Sequence, residues 1–380
     1  MRRFSTFAKV VSVETTTVDD LDRQLAQCLG VDGRASFSAI AEVLGVSDQT
    51  VARRYRRLRS SGALRVVGLA AQKTGGVTSW FVRMRCVPGT GEAIAAALAQ
   101  RADTAWVQLL SGDTEVLCAL RGEAGSGSES LLSRLPRSGR IVAVTAYSRL
   151  HMFTGGPDAQ GFLQVLPDER IAPLRRVRHS GSGGSGHGGA DHGGSGAGGS
   201  AGAGAVAGAG VGDGAGAGAG QAGEETGQGT AAGDLDAALF QALAVDGRTS
   251  FADLAAATGW SETRVRRRMD QLGDSGRLYF DLEGDWAAFG FRAPAWLWMS
   301  VPLSHLASVG TALAKFPEVA YASATTGPAN LAACVMCRDE AELYEFLTAK
   351  AGALPGVERV EVAPIIRTVK QSSPVASPLG

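Results

Sequence analysis

The chain is poor in the residues that build several common kinds of site. Its 380 residues include five cysteines and five histidines. The cysteines, Cys28, Cys86, Cys118, Cys334 and Cys337, are odd in number and scattered, which excludes a disulfide framework and fits reduced, mostly buried thiols. Net charge is also lacking: 37 Lys and Arg balance 37 Asp and Glu, so attraction for a polyanion has to come from a local patch. No uninterrupted apolar span of about 20 residues occurs, which removes a transmembrane helix, and Arg2 and Arg3 precede no apolar run of the kind a secretory signal needs. A cytoplasmic protein without membrane contact is the expectation. Spacings that suggest catalysis are missing too, whether Ser/His/Asp or paired carboxylates. The Gly-rich tract follows no strand and precedes no Lys-Ser/Thr, so it is not a phosphate-binding loop.

What is present is a repeat. Residues 47–64 (SDQTVARRYRRLRSSGAL) return as residues 261–278 (SETRVRRRMDQLGDSGRL). In each copy a Ser stands where a helix N-cap is needed, with Asp48 or Glu262 behind it in the first turn, where the helix dipole favours acids. Val51, Tyr55 and Leu58 fall at i, i+4 and i+7, as do Val265, Met269 and Leu272, so one stripe faces a core and the arginines are expected to point outward. Residues 47–65 hold six Arg against one Asp, so the positive charge is local. Ahead of this helix, Leu21, Leu25, Cys28 and Leu29 predict a first amphipathic helix closed by VDGR. Ser36 caps a second with Phe37, Ile40, Ala41 and Leu44 on its apolar face, and Gly45 makes the turn. Three helices with a tight turn before the third are the helix-turn-helix arrangement, whose last helix reads base edges while Arg neutralises phosphates. The same units recur over 235–278, VDGR included, so the chain is an internal duplication.

The run from 21 to 64 resembles the N-terminal domain of the Lrp/AsnC (feast/famine) transcriptional regulators. The shared frame is LD in the first helix, D-G-R before the second, and Ser47, Val51, Arg54, Leu58 and Gly62 across the third, repeated as Ser261, Val265, Arg268, Leu272 and Gly276. The segments that follow each copy carry independent signals. Residues 79–87 alternate as a strand, 91–101 read as an Ala-rich helix, 106–110 and 115–120 as strands about the turn SGDT, 131–135 as a short helix and 141–147 as a fourth strand. The second half repeats this at 296–301, 306–316, 319–324, 331–337, 340–349 and 357–366. The order βαββαβ is ferredoxin-like. The resemblance implies that this domain assembles dimers and senses small molecules.

The expected class is therefore α+β: two winged-helix/HTH DNA-binding domains, each followed by a ferredoxin-like βαββαβ domain, joined by a Gly/Ala-rich linker. The boundaries are a tail at 1–17, helix-turn-helix 18–66, ferredoxin-like domain 76–178, linker 179–233, helix-turn-helix 234–280, ferredoxin-like domain 290–370 and a tail at 371–380. The linker has too little apolar surface to fold, and at its length a Gly-rich chain spans on the order of 40 Å. It can join two halves of an intrachain pseudo-dimer, and the resemblance allows larger oligomers. His187 and His192 lie within it, where nothing rigid would hold a metal. Cys334 and Cys337 have metal-like spacing but sit three apart in a strand pattern, so they point to opposite faces.

The expected DNA-reading residues are Ser47, Gln49, Thr50, Arg53, Arg54, Arg57, Ser261, Thr263, Arg264, Arg267 and Arg268, on double-stranded DNA. The resemblance further implies an amino-acid effector at a G-x-x-D loop, here Gly112, Asp113 and Glu115, with Gly327 and Asn330 in the second half. A carboxylate can pair with a ligand ammonium, whereas an amide offers only a neutral hydrogen bond. No cofactor, metal or catalytic residue is expected. The sirohaem decarboxylases resemble the same family and keep its helix-turn-helix fold, which makes an enzyme on this scaffold the alternative.

Overall fold

The computed structural model describes residues 17–70, 77–123, 139–156, 160–180 and 228–372. The helix expected at 131–135 lies outside them, as does most of the Gly/Ala/Ser segment. No helix among the described residues is long and apolar enough to cross a membrane.

Each helix-turn-helix unit is three helices and a strand. In the first, α1 (Asp20–Val31), α2 (Phe37–Leu44) and α3 (Asp48–Ser60) precede β1 (Leu64–Ala70). Asp19 opens α1 through a capping box with Asp22, and Ser36 and Ser47 cap the next two helices through their hydroxyls. The turn into α3 runs through Gly45 at φ 71°, a left-handed conformation that costs a side-chain-bearing residue energy. Leu25, Ile40, Val51, Tyr55 and Leu58 are buried together; a buried Leu or Ile is worth roughly 1.5–3 kcal/mol.

The second unit repeats the plan with α6 (Gln228–Val245), α7 (Phe251–Thr258), α8 (Glu262–Asp274) and β6 (Leu278–Gly284). Its core is Leu239, Leu243, Leu254, Val265, Met269 and Leu272. Strands β1 and β6 pair with each other, antiparallel, from Leu64 opposite Gly284 to Ala70 opposite Leu278. Sequence periodicity does not reveal β1, because it is covered on both faces and its residues do not alternate.

The first sheet domain contains β2 (Val77–Cys86), α4 (Gly91–Ala99), β3 (Thr104–Leu110), β4 (Glu115–Glu123) and β5 (Ile141–Thr154). The second contains β7 (Ala295–Ser300), α9 (Leu303–Leu313), β8 (Val319–Thr325), β9 (Leu331–Val335), α10 (Glu340–Glu345, continued by a π-turn through Ala351) and β10 (Arg359–Lys370). The two sheets join edge to edge. β5 pairs with β8 and β10 pairs with β3, so eight strands close a barrel in the order β10-β3-β4-β2-β5-β8-β9-β7. The intrachain pseudo-dimer is thus a continuous hydrogen-bonded structure. β5 runs past the expected residue 147 because its second part pairs with the other half.

Aromatic rings from both halves fill the interior: Trp298 stacks on Trp296 and Tyr147 at 5.6 and 4.8 Å between centroids, and Phe81 meets both tryptophans edge-on. Cys334 on β9 belongs to this inner core, whereas Cys337 lies past the strand's end at Val335, not within it as the pattern suggested, and joins the separate core under α9 and α10. Burial pushes both thiols up to about 12.

Two boundary expectations need correction. Residues 160–175 leave the first sheet and pack on the first helix-turn-helix unit. α5 (Asp168–Ser180) lies against α1 and α2, with Ile171 and Leu174 buried there. The side chain of Gln27 accepts from the backbone N–H of Val165 and Leu166 and donates to the carbonyl of Leu166, and Arg170 Nε donates to the carbonyl of Val43. Helices also enter the expected linker from both ends, α5 ending at Ser180 and α6 beginning at Gln228. The end nearer the second unit is rich in Ala, the strongest helix former.

Candidate nucleic-acid interface and effector loops

The exposed start of α3 is built by its cap. Ser47 Oγ accepts from the Thr50 N–H at 3.2 Å and lies 2.9 Å from Thr50 Oγ1, so both hydroxyls are engaged in capping the first turn. Ser261 accepts from the Arg264 N–H in the same way. Gln49, Arg53 and Arg56 are exposed at i, i+4 and i+7 and form one face. On α8 the matching face is Thr263, Arg267 and Asp270. No ion pair is recorded for Arg53, Arg56 or Arg267 among the described residues.

Several of the expected reading residues have other partners. Arg54 Nη1 donates to Asp19 at 2.7 Å and to Asp22 at 3.0 Å, and Arg57 pairs with the same fully buried Asp22. In the second copy Arg268 grips Asp236 with Nε and Nη2 at 2.9 and 2.6 Å. The hydrogen bond from Arg268 holds the Asp236 carboxyl below the usual carboxylate range. The Asp and Arg shared by both repeats therefore fasten the third helix to the first, and the arginines do not all point outward. Arg264 lies over the Trp260 ring at 4.7 Å. Arg56 was missed by sequence reading, although its place seven residues after Gln49 marks it as part of the same face.

The loop between β3 and β4 carries three successive left-handed residues, Ser111, Gly112 and Asp113, at φ 53°, 68° and 68°. Glu115, at its end, is 6% exposed and accepts from Arg83. Arg83 also donates to Glu361 of the second half at 2.6 Å and lies 4.7 Å over the Trp298 ring. Arg83, Glu115 and Glu361 line a cavity of about 410 Å³, together with Arg85, Cys86, Pro88, Thr114 and Val142. Its walls supply two guanidinium and two carboxylate groups, with Glu361 held below the ordinary range by its hydrogen bond from Arg83. Gly112 and Asp113 do not line it.

The corresponding loop of the second half is tied to the end of β7 and to Ser148 on β5. Gly327 is left-handed at φ 98°, and Asn330 spans the backbone of Val301, accepting from its N–H at 2.9 Å and donating to its carbonyl at 2.7 Å. Among the described residues no cluster of three His, Cys, Asp or Glu could hold a metal ion.

Comparison with known proteins gives a consistent picture. The AsnC-type helix-turn-helix domain matches residues 18–59 and again 234–272, and the Lrp/AsnC ligand binding domain matches residues 295–375. The HTH-type transcriptional regulator FL11 of Pyrococcus horikoshii is 26% identical over 141 residues, which is 37% of this chain and 93% of that protein. The HTH-type transcriptional regulator LrpA of the same organism is 26% identical over 136 residues, 36% of this chain and 96% of LrpA. A whole relative thus corresponds to little more than a third of the chain. Over nearly the full length, the solved structure of the siroheme decarboxylase NirDL has the same fold, with TM-score 0.52, 11% identity and coverage of 93% of this chain and 95% of that one. The chain thus carries the AsnC-type helix-turn-helix domain twice and the Lrp/AsnC ligand binding domain in its second half, and over these segments it is similar to the Lrp/AsnC proteins.

Proposed function

We propose that the protein is a sequence-specific, DNA-binding transcriptional regulator that reads two unlike half-sites with α3 and α8. The observation that carries this reading is the pair of exposed helix faces, Gln49, Arg53 and Arg56 on one and Thr263 and Arg267 on the other, held on one body by the β1–β6 pairing. Exposed amide and hydroxyl groups flanked by arginines suit base edges and phosphates respectively. Arg54, Arg57 and Arg268 hold the reading helices in place, and Ser47, Thr50 and Ser261 shape their first turns. The relatives that match are named as transcriptional regulators. Selection of bound fragments from random DNA by the full chain tests the reading: an imperfect palindrome with unlike halves is expected, and enrichment of no motif would overturn it.

An amino acid is the proposed effector class, and the cavity at Arg83, Arg85, Glu115 and Glu361 is its proposed site. The site offers cations for an α-carboxylate and anions for an α-ammonium. Gly112 and Asp113 shape the loop beside it, whereas Gly327 and Asn330 stabilise the second half. A thermal-shift panel of the common amino acids checks this, and no shift with any of them would remove the site.

The NirDL-like fold supplies a second reading, an enzyme acting on a tetrapyrrole. The two histidines of the sheet domains are exposed, His151 on β5 and His305 on α9, and the barrel interior is lined by aromatic side chains. This placement favours the regulator. Titration with an iron porphyrin, followed by absorbance, distinguishes the two: a stoichiometric Soret shift would support the enzyme.

A further inference from the structure

The repeated VDGR sequence has no role in the reading faces, yet its arginines reach from each helix-turn-helix unit into the other. Arg34 Nη1 donates to the carbonyls of Gly247 at 2.6 Å and Thr249 at 3.2 Å, and its Nη2 also reaches Thr249. Arg248 returns the contact, donating to the carbonyls of Gly33 at 2.6 Å and Ala35 at 2.9 Å. Each guanidinium also lies over a ring of the other unit, Arg34 over Phe251 at 5.0 Å and Arg248 over Phe37 at 4.5 Å.

The rest of the motif makes this exchange possible. Asp32 and Asp246 accept from the backbone N–H of Arg34 and Arg248 and so shape the turns that present them. The glycines allow close approach: a Cβ at Gly33 would come within 2.8 Å of Phe280 and Val66, and one at Gly247 within 2.9 Å of Val66 and the Val67 backbone. Arg59 at the end of α3 adds an ion pair to Asp246 at 3.0 Å. The only strand pairing between the two units among the described residues is the two-stranded β1–β6 ribbon, and a ribbon of two strands is marginally stable by itself.

We infer that Arg34 and Arg248 form a reciprocal clamp that sets the separation of α3 from α8, and with it the half-site spacing that the protein accepts. They are positioning residues. The second part of this inference rests on the proposed DNA reading, whereas the clamp does not. Loss of either arginine leaves partly buried carbonyls without their donors, which lets the seam open.

The test uses the full chain with Gln49→Cys and Thr263→Cys carrying nitroxide labels, since the five native cysteines are buried. With Arg34 and Arg248 intact, pulsed electron paramagnetic resonance should give one narrow distance distribution. With Arg34→Ala and Arg248→Ala it should broaden by about twofold or more. The Arg34→Lys and Arg248→Lys pair keeps the charge but cannot bridge two carbonyls. It should broaden likewise, and it replaces the alanine pair if far-ultraviolet circular dichroism shows that the latter does not fold. Distributions as narrow as the parent's in folded variants would overturn the clamp. DNA selection with unlabelled protein supplies the second arm: the parent should enrich half-sites at one spacing, and the variants the same half-sites at several. A parent that enriches no DNA would overturn the DNA reading and the spacing role, while the label distances alone decide the clamp.

Discussion

The two halves share a plan but have divided its tasks. At the face of the third helix, Arg56 in the first half corresponds to Asp270 in the second, so α3 presents two arginines where α8 presents one arginine and an acid. In the barrel, Arg83 and Trp298 hold equivalent register positions, opposite Leu117 on β4 and Ala332 on β9 respectively. The cation of one half rests on the ring of the other. Two first halves would bring Arg83 against Arg83, and two second halves would bring Trp298 against Trp298. The unlike pairing avoids both. The anchoring differs as well. The first unit shares one continuous core with residues 163–174 and the barrel interior, whereas the second keeps a core of its own. A duplicated chain can thus diverge until each half complements the other, with charge on one side matched by an aromatic surface or a carboxylate on the other.

The largest expected effect comes from removing the aromatic side of that match. Trp298→Ala strips the stacking partner of Trp296, Tyr147 and Arg83 and should cost about 3–5 kcal/mol in denaturant unfolding of the full chain. A loss below about 1 kcal/mol would mean that the interior does not hold the halves together. Next, the shared Asp–Arg fastening is open to a paired comparison. Arg268→Ala leaves Asp236, only 8% exposed, without its cation and should cost about 1.5–3 kcal/mol. Arg54→Ala should cost less, because Arg57 still pairs with Asp22. Equal losses would show that Arg57 does not compensate.

For DNA binding, Arg53→Ala with Arg56→Ala should lower the slope of log affinity against log salt by about two, and Arg267→Ala by about one. Asp270→Arg should move the second half toward the first. Identical slopes for the arginine variants of α3 and α8 would erase the proposed asymmetry.

The smallest effect is a pH dependence. Burial is the main cause that raises the Asp281 carboxyl on β6 to about 6, against an ordinary value of 3.8, while the Leu282 N–H and the Gln160 amide donate to it. The folded chain therefore holds this proton where the unfolded chain has released it, so stability should fall as pH rises from about 4 to about 6 and then level off. The side chain keeps some exposure, which limits the change to on the order of 1 kcal/mol. Asp281→Asn should flatten that part of the stability curve, and an unchanged curve would assign it to another group.

Much of this organisation is legible from local pattern. A cap, a seven-residue apolar spacing and a left-handed Gly locate α3 and α8 because helical geometry ties those signals to neighbouring residues. Alternation over residues 79–87 locates β2 for the corresponding reason. The same periodicity could have placed Arg56 beside Gln49 and Arg53. It could not show that Arg54 and Arg268 are taken by Asp22 and Asp236, because those partners lie 32 residues away and meet only after the helices pack.

What the amino-acid sequence determined by itself, then, is the duplicated set of elements and the surplus of arginine on the first reading helix. These follow from short-range spacing and composition. The tertiary structure alone decided which arginines face outward, that residues 160–175 serve the helix-turn-helix unit rather than the sheet, and that β1 pairs with β6 while the two sheets close one barrel. Each of those outcomes depends on hydrogen bonds and apolar contacts between residues far apart in the chain, whose pairing no local period encodes.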